Sequence, residues 1–211
     1  AFDQGDFKSS ISHMAEAKTL DPQKYGEQVN VLSVLSYHKL QDVNKLKEAL
    51  ETLQKENPSA VARVPDVIPA WLGLQAYGMK DLETADKYMT WATQNDQLQN
   101  VKKVIWRNLA KVRLALKKYD RALVASNNFL KDEDQPYRRA DGMLDKASIL
   151  LGLGKYSDAR KTAEEALALG VEGPLMASLK IVLGDISYAE KKFDEAAKHY
   201  GVTAELFVND A

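Results

Sequence analysis

The chain has 211 residues, 45% hydrophobic and 28% charged, with 29 Lys and Arg set against 30 Asp and Glu. A formal net charge of −1 excludes a surface built as a whole for nucleic acid or anionic membrane, while leaving room for a local basic patch. The absence of cysteine excludes disulfides, thiolate zinc sites and a cysteine nucleophile. No apolar run approaches the roughly 18 residues that a membrane span requires.

Taken in chain order, the expected elements repeat. Gly5-Asp6-Phe7 opens a helix that runs through Ala17 toward Pro22. Gln41-Asp42-Val43 separates a helix carrying Val34 from one carrying Leu53, which ends before Pro58. Four segments then align without gaps: Lys80-Asp81-Leu82-Glu83-Thr84-Ala85, Lys117-Lys118-Tyr119-Asp120-Arg121-Ala122, Gly154-Lys155-Tyr156-Ser157-Asp158-Ala159 and Lys191-Lys192-Phe193-Asp194-Glu195-Ala196. Their large apolar residues fall at 82, 119, 156 and 193, a constant spacing of 37, and Ala follows each three residues later. Nine residues before each stands Gly73, Ala110, Ala147 or Gly184, and ten after stands Ala92, Phe129, Ala166 or Thr203.

Within each period apolar residues recur at three and four, as in Trp106, Leu109, Ala110 and Leu114, then Ala122, Ala125 and Phe129. That spacing predicts two antiparallel helices per period. The small residues let the two helices of a pair approach closely, and the residue just after the turn fills the space between one pair and the next. Asp120, Ser157 and Asp194 read as N-caps of the second helices. Pro136 and Pro174 read as first-turn prolines of first helices, a part that Pro65 and Pro69 play less cleanly ahead of Trp71. The reading gives about eleven helices and no strands, beginning with the second helix of a first repeat.

These marks resemble the tetratricopeptide repeat family, in five full units and one half. The resemblance implies an all-α fold, a right-handed superhelical solenoid of antiparallel helix pairs, with first helices on the concave face. The expected units are approximately 1–23, 24–62, 66–98, 99–136, 137–172 and 173–209. Several family slots are filled unusually: Lys146 stands where Leu is usual, and Ser10 and Leu46 replace Ala. The first unit lacks most of its first helix, leaving Phe2 and Phe7 beside a missing partner. Leu206-Phe207-Val208 closes a second helix with no polar capping helix after it. Both ends lead to the expectation of a longer native chain or of self-association.

Catalytic chemistry is not recognisable. Gly152-Leu153-Gly154-Lys155-Tyr156 lacks the upstream Gly and the following Ser or Thr of a phosphate loop, and the register places it at a helix–helix turn. His13, His38 and His199 have no partner at metal-ligand spacing, and paired acids such as Glu164-Glu165 point different ways on a helix. No residue set for a cofactor or a metal emerges, and the expected protein is not an enzyme. Trp71, Trp91 and Trp106 read as packing residues, Trp71 and Trp106 near the small positions Gly73 and Ala110.

One charged stretch stands out. Lys102, Lys103, Arg107, Lys111, Arg113, Lys117, Lys118 and Arg121 face Asp120 alone. Lys103, Arg107 and Lys111 repeat at four and share a helix face. In the tetratricopeptide arrangement Arg107 and Lys111 fall on groove positions. The matching positions before them are Val67, Ala70, Leu74 and Tyr77. Those after them are Asp141, Leu144, Ser148 and Leu151, then Ser178, Ile181, Asp185 and Tyr188. Two readings stay open: the basic helix balances Asp141 and Asp145 on the next first helix, or the groove receives an acidic or C-terminal carboxylate segment. Of the slots used by chaperone-tail clamps only Arg107 and Lys111 keep their character, since Asp145, Ser178 and Val182 occupy the others.

The candidate peptide-binding groove is therefore Tyr77, Lys103, Arg107, Lys111, Leu144, Ser148, Asp185 and Tyr188. The expected function is a non-catalytic protein–protein interaction scaffold that binds a protein or peptide segment, acidic in the second reading, on the concave face. The alternative is a regulatory or substrate-recruiting arm of a larger enzyme or envelope assembly complex. Nucleic acid is not an expected partner, because no aromatic–basic interleaving accompanies the charges. The composition fits cytoplasmic and periplasmic settings alike.

Overall fold

The period seen in the sequence becomes helix pairs in the structure, a computed structural model that describes residues 2–94 and 99–208. The expected unit limits at residues 1, 98 and 209 lie outside the described residues, as do the side chains of Leu206, Phe207 and Val208. Among the described residues there are eleven α-helices and no strand. They are α1 (Phe7–Leu20), α2 (Pro22–Lys39), α3 (Val43–Glu56), α4 (Val67–Gly78), α5 (Leu82–Thr93), α6 (Gln99–Ala115), α7 (Tyr119–Lys131), α8 (Pro136–Gly152), α9 (Tyr156–Leu167), α10 (Gly173–Ala189) and α11 (Phe193–Val208). Short 3₁₀ turns cover Phe2–Gln4 and Pro58–Arg63. No helix is long and apolar enough to cross a membrane among the described residues.

Each turn between a first and a second helix is built the same way. Gln41, Lys80, Lys117, Gly154 and Lys191 all stand two residues ahead of the period's large apolar residue, and all have positive φ, between 55° and 71°. The N–H of the left-handed residue donates to the carbonyl three back, as Lys117 does to Leu114 at 2.9 Å. The next N–H donates five back, as Lys118 does to Arg113 at 2.8 Å and Lys155 to Leu150 at 2.9 Å. This Schellman closure satisfies the last carbonyls of the first helix and reverses the chain within a few residues.

The same closure corrects the expected N-caps. The second helices start two residues earlier than Asp120, Ser157 and Asp194 imply as N-caps, at Tyr119, Tyr156 and Phe193, because the residue that ends the turn is itself the cap. At α1, α3 and α5 that residue is Asp6, Asp42 or Asp81, whose carboxylate accepts from the N–H of Ser9, Lys45 or Thr84 at 3.0–3.2 Å. At α7 and α9 it is Lys118 or Lys155, with no side-chain cap. Asp120, Asp158 and Asp194 lie inside the first turn, where they complement the helix dipole.

The helices gather into two compact units, residues 1–98 and 99–211. In the first, α2, α3, α4 and α5 bury Val34, Leu46, Leu50, Leu53, Leu72 and Tyr88 around a shared core. Trp71 meets His38 edge-on at 5.3 Å and Trp91 stacks on Tyr88 at 6.1 Å, which makes both packing residues. Lys47 of α3 reaches forward to Asp81 at 3.2 Å and to the Thr84 hydroxyl at 2.6 Å, tying one pair to the turn of the next.

In the second unit α6 packs on α7, α8 on α9 and α10 on α11, while α7 and α9 pack on the first helix that follows. First helices also touch one another, α6 against α8 and α8 against α10. The period's small positions do the work read from sequence: Ala110, Ala147, Ala122, Ala159 and Ala196 are buried. A Cβ on Gly184 would lie 2.7 Å from Tyr200 Cδ1, and one on Gly152 would lie 2.7 Å from Tyr119 Cδ1. Tyr119 is thus the wedge between its own pair and the next, as expected of the residue after the turn. Arg160 of α9 repeats the forward reach of Lys47, bonding Glu190 and Glu195 at 2.7 Å each and the Ser187 hydroxyl at 3.2 Å.

Candidate peptide-binding face

In the second unit the groove positions fall on α6 (Val104, Arg107, Lys111, Leu114), α8 (Asp141, Leu144, Ser148, Leu151) and α10 (Ser178, Ile181, Asp185, Tyr188). These helices are neighbours, α6 touching α8 and α8 touching α10, and Arg107 of α6 meets Asp141 of α8 across the first contact. Tyr77 belongs to the first unit, half-buried on α4, and is part of that unit's own first-helix row.

The basic side of this face is neutralised from within. The Arg107 guanidinium pairs with the Asp141 carboxylate and lies 5.9 Å from the centre of the Phe129 ring. Lys111 Nζ stands 3.7 Å from Asp145 Oδ2. Asp145 is largely buried, and desolvation pushes its carboxyl up to about 6 despite the opposing pull of Lys111 and Arg107. Its Oδ2 and Arg107 Nε have no hydrogen-bond partner among the described residues. Of the two readings open at the sequence level, internal charge balance with Asp141 and Asp145 is the arrangement the structure forms.

Lys103 is drawn to the connection between α7 and α8. Its Nζ donates to the Asp132 carbonyl at 2.6 Å and lies 3.7 Å from Glu133 Oε2. The Glu133 side chain is 1% exposed and also pairs with Arg138 at 3.2 Å. Arg139 completes the knot, donating to the carbonyls of Leu130 at 3.1 Å and Glu133 at 3.0 Å. Sequence reasoning missed Glu133. Its signal is the acidic run Asp132-Glu133-Asp134 set between Lys131 and Arg138-Arg139.

The remaining candidates divide between self-satisfied and exposed groups. The Ser148 hydroxyl donates to the Leu144 carbonyl of its own helix at 3.0 Å, and Leu144 is partly buried against the unit's core. Asp185 is exposed and accepts a 2.8 Å hydrogen bond from the Tyr200 hydroxyl, whose phenol burial and Asp185 push up to about 12. Tyr188 is 62% exposed with its ring edge-on to Phe193 at 5.4 Å, and Ile181 is 39% exposed. Exposed large apolar side chains on this face thus stand on α10, as Ile181 and Tyr188, and on α6, as Val104 at 43% exposure. Trp106 is half-buried beside a cleft of about 340 Å³ that Lys102, Lys103 and Lys131 also line, rather than sealed in the core. No group of three His, Asp or Glu able to hold a metal occurs among the described residues.

Helix pairs joined by identical turns at a constant period define a helical-repeat protein. Residues 144–204 match the tetratricopeptide repeat family, and the fold of the chain is that of tetratricopeptide repeat arrays. It is similar to MamA (MSR-1), with a TM-score of 0.61 at 16% identity over 84% of this chain and 94% of that one. It is also similar to BtubC from P. vanneervenii, with a TM-score of 0.57 at 17% identity over 97% and 89%. PilW, a type IV pilus biogenesis factor, gives 0.53 at 15% identity over 94% and 84%. No curated protein matches the chain by sequence. Tetratricopeptide repeats are generally non-catalytic modules for protein interaction.

Proposed function

We propose that the protein is a non-catalytic interaction scaffold that binds a segment of another protein along the first-helix face of its second unit. The observation that carries this reading is the exposure of Ile181 and Tyr188, two large apolar side chains two helical turns apart on α10, in the register of that face. Aromatic and aliphatic anchors of this kind supply most of the binding energy at protein interfaces, and charged neighbours set register and orientation. The segment places apolar side chains against Ile181, Tyr188 and the partly buried Leu144. A carboxylate on the segment competes with Asp141 for Arg107, so acidity in the partner contributes selectivity more than affinity.

Peptide display against the immobilised protein, followed by affinity measurement on the selected sequences, tests the proposal. Tyr188→Ala and Ile181→Ala should each weaken binding about tenfold, the effect of losing roughly 1.4 kcal/mol. Val124→Ala, at an exposed position on the second helix α7, should leave it unchanged. Equal loss at Val124, or no loss at Tyr188, would rule out the first-helix face as the binding surface.

A further inference from the structure

The repeat register holds a leucine slot in each first helix, and the second unit breaks it once. Leu72 and Leu109 are fully buried and Leu183 is 2% exposed. The equivalent position of α8 is Lys146, half-buried. Beside it opens a cleft of about 350 Å³ between α7, α8 and α9. Its walls are mixed in character: Leu123 and Leu150 are apolar, and two further ammonium groups, Lys155 and Lys161, face the same space. The carboxylates that line it are Asp158 and Glu165, and Glu165 already sits 3.9 Å from Lys161. Three cations against two anions leave the cleft positive, and the Lys146 ammonium forms no hydrogen bond or ion pair with a described residue.

A lysine in a leucine slot gives up apolar burial and places a cation among partly apolar walls, where an anion is held more strongly than in open water. We propose that this cleft binds an aliphatic carboxylate, the acidic side chain or chain terminus of a protein segment, with Lys146 as its central contact. The methylene stem lies on Leu123 and Leu150 while the carboxylate meets Lys146 and Lys155. The site opens between the second helices α7 and α9 and shares no residue with the first-helix face, so it stands or falls separately from the function proposed above.

The probe is the tripeptide N-acetyl-Leu-Glu-Leu with a free C-terminus, titrated at fixed ionic strength while the backbone amide resonances of Asn127, Lys146 and Thr162 are followed. Saturable shifts at all three are expected in the wild type. Lys146→Leu restores the repeat's own residue, so it should fold and melt at a higher temperature, yet bind at least about tenfold more weakly. Lys146→Arg should retain affinity within about threefold, since the cation is kept. The proposal is overturned by unchanged affinity in Lys146→Leu. It is equally overturned by absent saturation, by equal shifts from the amidated Gln peptide, or by inorganic phosphate binding as tightly as the peptide.

Discussion

Asp145→Asn probes the most perturbed carboxylate on the first-helix face. In the folded chain this carboxyl titrates near 6, against 3.8 for an unperturbed aspartate, because burial disfavours its charged form more than Lys111 and Arg107 favour it. A raised acid pKa means that the folded protein holds the proton more tightly than the unfolded chain. The stability from this group is therefore fully present below about pH 4 and is lost as pH rises through about 6. A shift of roughly two units corresponds to about 3 kcal/mol in total, of which about half is recovered on going from pH 7.5 to pH 5. Urea unfolding of wild type and Asp145→Asn at both pH values isolates it, because other groups titrate alike in the two proteins. Among those are His38 and His199, both pulled below the usual imidazole range chiefly by burial. The expected result is that wild type gains about 1–2 kcal/mol relative to the variant between pH 7.5 and 5. Lys111→Met should enlarge that gain, since it removes an attracting cation. Parallel pH profiles for wild type and Asp145→Asn would refute the assignment of a buried, poorly satisfied carboxylate between α6 and α8.

The other predictions concern the turns and the close approaches. Gly154→Ala puts a Cβ on a residue with φ of 71° and should cost about 1 kcal/mol, while Lys117→Gly relieves the equivalent strain at 56° and should stabilise by up to about the same amount. Urea midpoints check both, and a neutral Gly154→Ala would mean that the turn is not held left-handed. Gly142→Ala would bring a Cβ to 2.7 Å from Phe129 Cδ1 and 3.0 Å from Leu130 Cδ2. Overpacking of about 1–3 kcal/mol should outweigh the roughly 1 kcal/mol gained in helix propensity, for a net loss in thermal stability. Gly201→Ala, with nothing within 4 Å of the new methyl, should instead raise the melting temperature. The same sign for both glycines would be inconsistent with the packing of α8 on α7.

The features that recur are legible in the sequence, because each repetition of a residue type at a fixed offset tests the one before it. Ala85, Ala122, Ala159 and Ala196 share an offset and share burial, and Tyr119 wedges against the next pair as its place after the turn implies. Helix starts are misplaced by two residues, because capping propensity singles out Asp120, Ser157 and Asp194 while the Schellman turn fixes the boundary by backbone bonds that carry little side-chain signature. The candidate face is legible in position but not in state. Spacing puts Arg107 and Lys111 on one side of a helix, yet whether they meet Asp141 and Asp145 depends on the distance between two helices that no local pattern encodes. For Glu133 the acidic run shows a charge cluster but not its pairing, since its partners Lys103 and Arg138 come from different elements.

Whether the first-helix face of the second unit receives a protein segment can be read from chemical-shift mapping with a display-selected peptide on isotope-labelled protein. The largest perturbations should fall on Leu144, Ile181, Asp185 and Tyr188, with paramagnetic broadening from a peptide-borne spin label confined to α8 and α10 and their neighbour α6. Perturbations concentrated on the exposed residues of α7 and α9, with Ile181 and Tyr188 unmoved, would place the partner on the opposite side of the helix pairs and refute the proposed function.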